Sequence, residues 1–230
     1  MALASVFDSD YQYLPLGLGG DPTIRLLSLL PDKFDDELRV RISTQKQRDD
    51  LDYEALSYAW GPEHDWASSR IRVHDSQRPW QRRVLKISSA LETALRHLRR
   101  EDATRTLWID AICINQADLQ ERGHQVRLMG DIYRRASRVV AWLGPLTDSS
   151  KHALEFLKLV IDVPSNSLDG KSHWLDEGVP FPFNDMPLEY AAFRELVGRP
   201  WFERLWIRQE IILGSPASVV QCGTDEISWR

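Results

Sequence analysis

Apolar residues along this 230-residue chain fall into two patterns, short continuous runs and stripes at helical spacing. EALSYAW (54–60), TLWIDAICIN (106–115) and VVAWLG (139–144) are apolar on both faces. That is how strands inside a covered parallel sheet read. Between the first two runs, Leu91, Ala94, Leu95 and Leu98 recur at helical spacing, with Ser89 and Glu92 as a capping box. A second helix is expected from Gln120 to Ala136, with Val126, Met129, Ile132 and Tyr133 on one face and an Asp118/Glu121 cap. A third is expected over 149–161 on Ala153, Leu154, Leu157, Val160 and Ile161. Shorter strands are expected at Leu38–Ser43, Ile71–Val73 and ASVVQCG (217–223), after an apolar stretch TIRLLSLLP at 23–31. Residues 162–185, rich in Pro, Gly, Asn and Asp, read as a long surface loop or lid. Helical pattern resumes at 187–198 and 200–213, with Pro187 and Pro200 in first-turn positions.

Strand and helix alternate through the middle of the chain, so we expect an α/β fold. Its mostly parallel central sheet is flanked by helices in a flavodoxin-like three-layer arrangement with loop and helix insertions. Ligands of such sheets gather beyond the carboxyl ends of the strands. This places Tyr58–Gly61, Asp110–Gln116 and Gly144 around one crevice.

Charge and cysteine usage narrow the partners. With 29 Lys+Arg against 34 Asp+Glu, the net charge of −5 supplies no basic field for nucleic acid. Cys113 and Cys222 are too few for a disulfide framework, and a reducing compartment is expected. No apolar run approaches the roughly 18 residues of a membrane span. The start, MALASVFDSDYQYLPL, lacks the basic and apolar regions of a signal peptide. A cytoplasmic protein is therefore expected. LGLGGD (17–21 with its preceding Leu16) fits neither glycine-rich phosphate fingerprint and reads as a turn. The abrupt end on Trp229-Arg230, after the fragment EISWR, suggests a longer parent protein.

Three blocks resemble the fungal heterokaryon incompatibility (HET) domain: YEALSYAWG at 53–61, LWIDAICINQADLQERGHQVRLMGDIYRRASRVVAWLG at 107–144, and RPWFERLWIRQE at 199–210. TIRLLSLLP resembles the segment that precedes the domain in that family. We thus expect a lead-in over 1–52 that packs on a HET domain over 53–230. The resemblance implies a role in non-self recognition, through programmed cell death after incompatible fusion. It also implies a distant relation to the Toll/interleukin-receptor (TIR) fold. Some TIR domains cleave NAD with a glutamate in a Trp-Cys-x-x-Glu motif. Trp206-Ile207-Arg208-Gln209-Glu210 has the same spacing, with Ile207 in place of the cysteine. By that resemblance Glu210 is the catalytic candidate, and NAD is a substrate; no resident cofactor is expected.

The residues themselves leave two readings of this position open. Four-residue spacing puts Trp206 and Glu210 on one helix face, where an indole beside a carboxylate suits a nicotinamide riboside. Equally, Glu210 is a buried acid paired with Arg204, Arg208 or Arg127 to hold its helix. Asp110 stands within an apolar run, where a charge needs a partner; it either anchors structure or binds a hydroxyl or amine. Asn115 either caps the next helix or reaches the crevice. Ser57, Tyr58 and Trp60 end the first motif strand and complete the substrate-binding candidates. Cys113 and His124 lack a third orienting residue and read as unrelated, and scattered Cys and His offer no metal spacing. Three functional readings follow. One is an NAD glycohydrolase. Another is a non-enzymatic module that works by self-assembly or by binding other death-signalling domains. The third is a nucleotide-binding sensor without turnover.

Overall fold

The computed structural model describes residues 8–17, 21–74, 82–161, 187–205 and 207–229. Ten strands form one sheet: β1 Ser9–Asp10, β2 Thr23–Leu29, β3 Arg39–Lys46, β4 Glu54–Tyr58, β5 Ser69–Val73, β6 Arg83–Ile87, β7 Arg105–Trp108, β8 Arg138–Gly144, β9 Val219–Cys222 and β10 Asp225–Ser228. Their order is β1-β6-β5-β3-β2-β7-β4-β8-β9-β10. The helices are α1 Ser89–Leu98, α2 Asp110–Cys113, α3 Leu119–Arg135, α4 Asp148–Ile161, α5 Pro187–Val197 and α6 Ile207–Ile212. The result is an α/β fold, an open and mostly parallel mixed sheet flanked by helices.

The three doubly apolar runs behave as their pattern demands. β4 runs parallel to β7 on one side and β8 on the other, and β8 runs parallel to β9. Numbered by chain order within this block, β7-β4-β8-β9 reads 2-1-3-4, the flavodoxin-like winding. Such a sheet has its switch point beside its first strand, here where β4 ends at Tyr58. Ala55, Leu56, Leu107, Trp108, Val139, Val140 and Ala141 are all buried there.

Several local readings needed correction. TLWIDAICIN is strand only as far as Trp108. At Asp110 the chain enters a helical turn, α2, so this acid stands beyond the strand. The cap of α1 is Ser88, whose hydroxyl accepts from the Leu91 N–H at 3.1 Å, and Glu92 turns forward to Arg96. In α3 the Asp118 cap is present, bonding the N–H groups of Gln120 and Glu121, while Val126 lies 40 % exposed. The stretch 200–213 is a 3-10 turn, Pro200–Glu203, then a break, then the short α6. β6 was hidden in a charged segment. β2, within the expected lead-in, pairs directly with β7 in mid-sheet. The expected loop at 162–185 lies outside the described residues, and so do Leu18, Gly19 and Gly20 of the glycine turn.

One buried ion pair ties this frame together. Arg25 of β2 and Glu121 of α3 are 1 % and 2 % exposed and meet through two bonds, at 2.6 and 2.8 Å. Arg25 also donates to the Cys113 and Leu14 carbonyls, and Glu121 accepts the Asn115 N–H at 2.7 Å. Among the described residues no helix is long and apolar enough to cross a membrane.

Two stability outcomes follow. Trp108→Ala, which empties a fully buried position on β7, should cost about 3–5 kcal/mol, read from denaturant midpoints. Glu121→Ala, which strands the Arg25 guanidinium out of water, should cost a similar 3–5 kcal/mol or so. An unchanged midpoint in the second variant would mean that the pair carries no structural weight.

Candidate functional site

The site is built outward from the end of β4, whose pleat sends Ser57 and Tyr58 to opposite faces. Ser57 meets α6: its hydroxyl donates to Glu210 Oε2 and accepts from the Trp201 indole N–H at 2.7 Å. Arg204 grips the same carboxylate with two bonds of 3.0 Å each, from Nη1 to Oε2 and from Nη2 to Oε1. Glu210 is 0 % exposed, and a carboxylate so placed requires such a cation. Tyr58, on the other face, lies buried beside Ser88, which hydrogen-bonds it. Burial first, then the nearby Asp110 charge, push its hydroxyl well above the ordinary tyrosine range.

Gly61, at φ 79°, takes a left-handed turn that residues with a Cβ adopt reluctantly. It redirects the chain just after Trp60. The Trp60 indole N–H then lies 3.2 Å from both carboxylate oxygens of Asp110. Asp110 Oδ1 also accepts the Ala111 N–H at 2.7 Å, and the Gln116 side-chain amide donates to the Asp110 carbonyl at 2.9 Å. Burial, reinforced by the charge of Glu210 and opposed by Arg204, raises the Asp110 carboxyl from 3.8 to about 6.

Asp110, Glu210 and Arg204 share a cleft of about 340 Å³ with Trp60, Trp66 and Gln116. Trp66 stacks edge-on against Trp60 with ring centres 5.3 Å apart. The two acids therefore face one space, one tied down by an arginine and the other able to exchange a proton near neutrality. That combination suits stabilising a cation while moving a proton.

The structure brings most of the sequence candidates together. Ser57 touches Glu210, Trp60 touches Asp110, and Tyr58 stands beside them. Asn115 lines the neighbouring cleft, while its side-chain oxygen accepts the Ala117 N–H at 3.2 Å in a local turn. Trp206 lies outside the described residues. Sequence reasoning missed Trp201 as Glu210's indirect partner, and Trp66 as a cleft wall. Trp201 had a signal, its place in the RPWFERLW block at 199–206, whereas Trp66 stands in a charged stretch with no pattern around it. Cys113 is buried, its thiol pushed up to about 12 mainly by burial, and its sulfur accepts the Ile109 N–H at 3.3 Å. Among the described residues no group of three or more His, Cys, Asp or Glu is placed to hold a metal ion.

Strand order and the position of this polar cluster define a doubly wound α/β domain with a site at the carboxyl edge of its sheet. The chain belongs to the heterokaryon incompatibility family: the family described as Heterokaryon incompatibility protein (HET) matches residues 53–210, a span that contains every candidate residue. It is also similar to Heterokaryon incompatibility protein 6, OR allele, of Neurospora crassa, at 35% identity over 242 aligned positions that cover 91% of this chain and 35% of that protein. The chain thus spans about a third of the length of this relative. No solved structure gives a significant match.

The Asp110 environment has a measurable consequence. Its carboxyl holds a proton more tightly folded than unfolded, so its contribution to stability is full below pH 4 or so. That contribution is lost as pH rises through about 6. Asp110→Asn cannot ionise. Relative to wild type it should gain up to about 3 kcal/mol between pH 4 and pH 7, seen by denaturant unfolding at each pH. A difference that stays constant with pH would show Asp110 to be an ordinary acid.

Proposed function

We propose that this domain is an effector of fungal non-self recognition that drives programmed cell death from the cytoplasm, and that it acts by hydrolysing NAD in the Asp110–Glu210 cleft. Family membership and the name of the Neurospora relative support the biological setting. The observation that carries the chemistry is the pair of buried carboxylates on one indole-walled cleft.

In this reading the ribosyl C1′–N bond to nicotinamide breaks, and its electron pair leaves with nicotinamide as a neutral molecule. Glu210, held and aimed by Arg204 and Ser57, stabilises the positive charge that grows at C1′. Water adds to C1′, and its proton passes to Asp110, which is ionised at neutral pH. Trp60 holds Asp110 in place, and Trp66 supplies a flat wall for the nicotinamide ring. The products are nicotinamide, ADP-ribose and a proton.

A second reading also has an observation behind it. Both Glu210 oxygens are already engaged, which is what a purely structural lock would show. The domain would then kill by assembling with itself or with other death-signalling domains, and the cleft would be incidental.

The two readings separate in one experiment. Concentrated or artificially clustered protein should release nicotinamide from NAD, and its expression in yeast should lower cellular NAD and growth. Asp110→Asn should cut release at least 100-fold while leaving the fold at least as stable at neutral pH. Glu210→Gln should do the same but with loss of stability, since Arg204 loses its counter-charge. Killing that persists in Asp110→Asn, with NAD unchanged, would leave assembly as the function.

A further inference from the structure

The cleft at the two acids is one half of a larger groove. A second cleft, of about 580 Å³, lies on the Tyr58 side of β4 and is walled by Tyr58, Leu85, Ile87, Ser88 and Leu91. The two share Trp60, Trp66, Gln116 and Arg122. Because Ser57 and Tyr58 point to opposite faces of β4, the compartments straddle the carboxyl edge of the sheet, with those four residues as the waist between them. The compartments differ in character. The smaller holds the carboxylates and Arg204. The larger is mostly apolar, with Lys86, whose ammonium pairs with Asp10, among its lining residues.

Arg122 is the distinctive group at the waist. It is exposed and projects from the first turn of α3. No carboxylate among the described residues pairs with it, although Arg25, Arg204, Arg105 and Arg138 are each paired. An unpaired guanidinium between two ring-sized compartments has a natural complement, an anionic linker with a flat group at each end. Guanidinium reads phosphate oxygens through two parallel N–H bonds.

We propose that the two clefts form one bipartite site for a dinucleotide, with Arg122 holding the pyrophosphate at the waist. The base next to the scissile bond sits at Asp110 and Glu210, and the second base lies in the larger compartment against Leu85, Ile87 and Leu91. This placement rests on the NAD reading and adds to it. It makes the far half of the ligand a source of binding energy and makes Arg122 a specificity residue that takes no part in bond cleavage.

The test is equilibrium binding with carba-NAD, whose ribose ring oxygen is replaced by a methylene so that it resists hydrolysis. Adenosine and nicotinamide riboside, the latter as its carbocyclic analogue that resists hydrolysis in the same way, serve as halves without a linker. Carba-NAD should bind at least 100-fold more tightly than either half. Arg122→Ala should weaken carba-NAD at least tenfold and leave both halves unchanged, and Arg122→Lys should recover part of the loss. Ala117→Trp, which narrows the larger compartment from an exposed position, should weaken carba-NAD and adenosine while sparing nicotinamide riboside. Unchanged thermal stability is expected in all three variants. Carba-NAD binding that is absent, no tighter than its halves, or indifferent to Arg122 overturns the bipartite site. The readings fail separately. Nicotinamide release with an unchanged KM in Arg122→Ala sinks the groove and leaves hydrolysis standing. Arg122-dependent binding without nicotinamide release sinks hydrolysis and leaves the groove.

Discussion

Much of this domain hangs on two ions taken out of water. Arg25 and Glu121 would be costly residues to bury singly, and they are tolerable only because each satisfies the other and the remaining bonds go to backbone. The consequence is geometric. Arg25 belongs to β2, Glu121 to the first turn of α3, and their shared bonds hold the Cys113 carbonyl and the Asn115 N–H between them. The segment between β7 and α3 is thereby clamped at its middle, at Cys113 and Asn115. Asp110 and Gln116, which line the cleft, flank that clamped point, so an ion pair outside the cleft decides where its polar groups stand.

The same constraint, repeated at α6, shapes the site itself. A buried Glu210 demands a cation, and Arg204 supplies it; Ser57 and Trp201 then fix the carboxylate's orientation through a chain of donors. The field of this cluster reaches Asp110, whose carboxyl rises mainly because it is buried and further because Glu210 is close. The bonds that make Glu210 tolerable in the interior are also the ones that fix its direction.

How much of this could be read from residues alone depended on whether the signal was local. The parallel block was legible because the runs that contain β4, β7 and β8 are apolar and short, bounded by turns and separated by helical stripes, although the second run also holds the helical turn α2. β6 was not, because it lies at the end of a charged segment, and Arg83–Ile87 shows only partial burial before Ile87. Asp110 was marked correctly as an acid in need of a partner. Its true environment, a helical turn beyond the strand, depends on a change of backbone at Ile109 that no periodicity shows. Glu210 stands out through its resemblance to a known motif, with Arg204 as one of three candidate arginine partners. The choice among them was beyond sequence reasoning. In an unbroken helix a six-residue separation turns two side chains well away from each other, and only the break at Arg204 and Leu205 allows the pair to close.

The placement of polar groups at the carboxyl edge follows from the winding of the sheet. β4 is the first strand of its parallel block and has neighbours laid down on both sides, so the connections after β4, β7 and β8 must diverge beyond its end. Divergence opens space that main-chain pairing cannot fill, and backbone there turns through Gly61, Asp110 and Gly144 instead of continuing the ladder. A purely apolar filling would leave those turning peptides unsatisfied. Side chains that bond backbone and one another therefore accumulate at this edge: Asp110 on Ala111, Gln116 on Asp110, Arg199 on Leu143 and Pro145. The requirement to satisfy the peptides explains polar residues at the edge in general. It does not explain the carboxylate of Asp110, since an amide there would accept the Ala111 N–H and the Trp60 indole N–H without the cost of a buried charge. That charge beyond structural need, on the cleft that Glu210 and Arg204 also line, is the physical ground of the chemical task proposed for it.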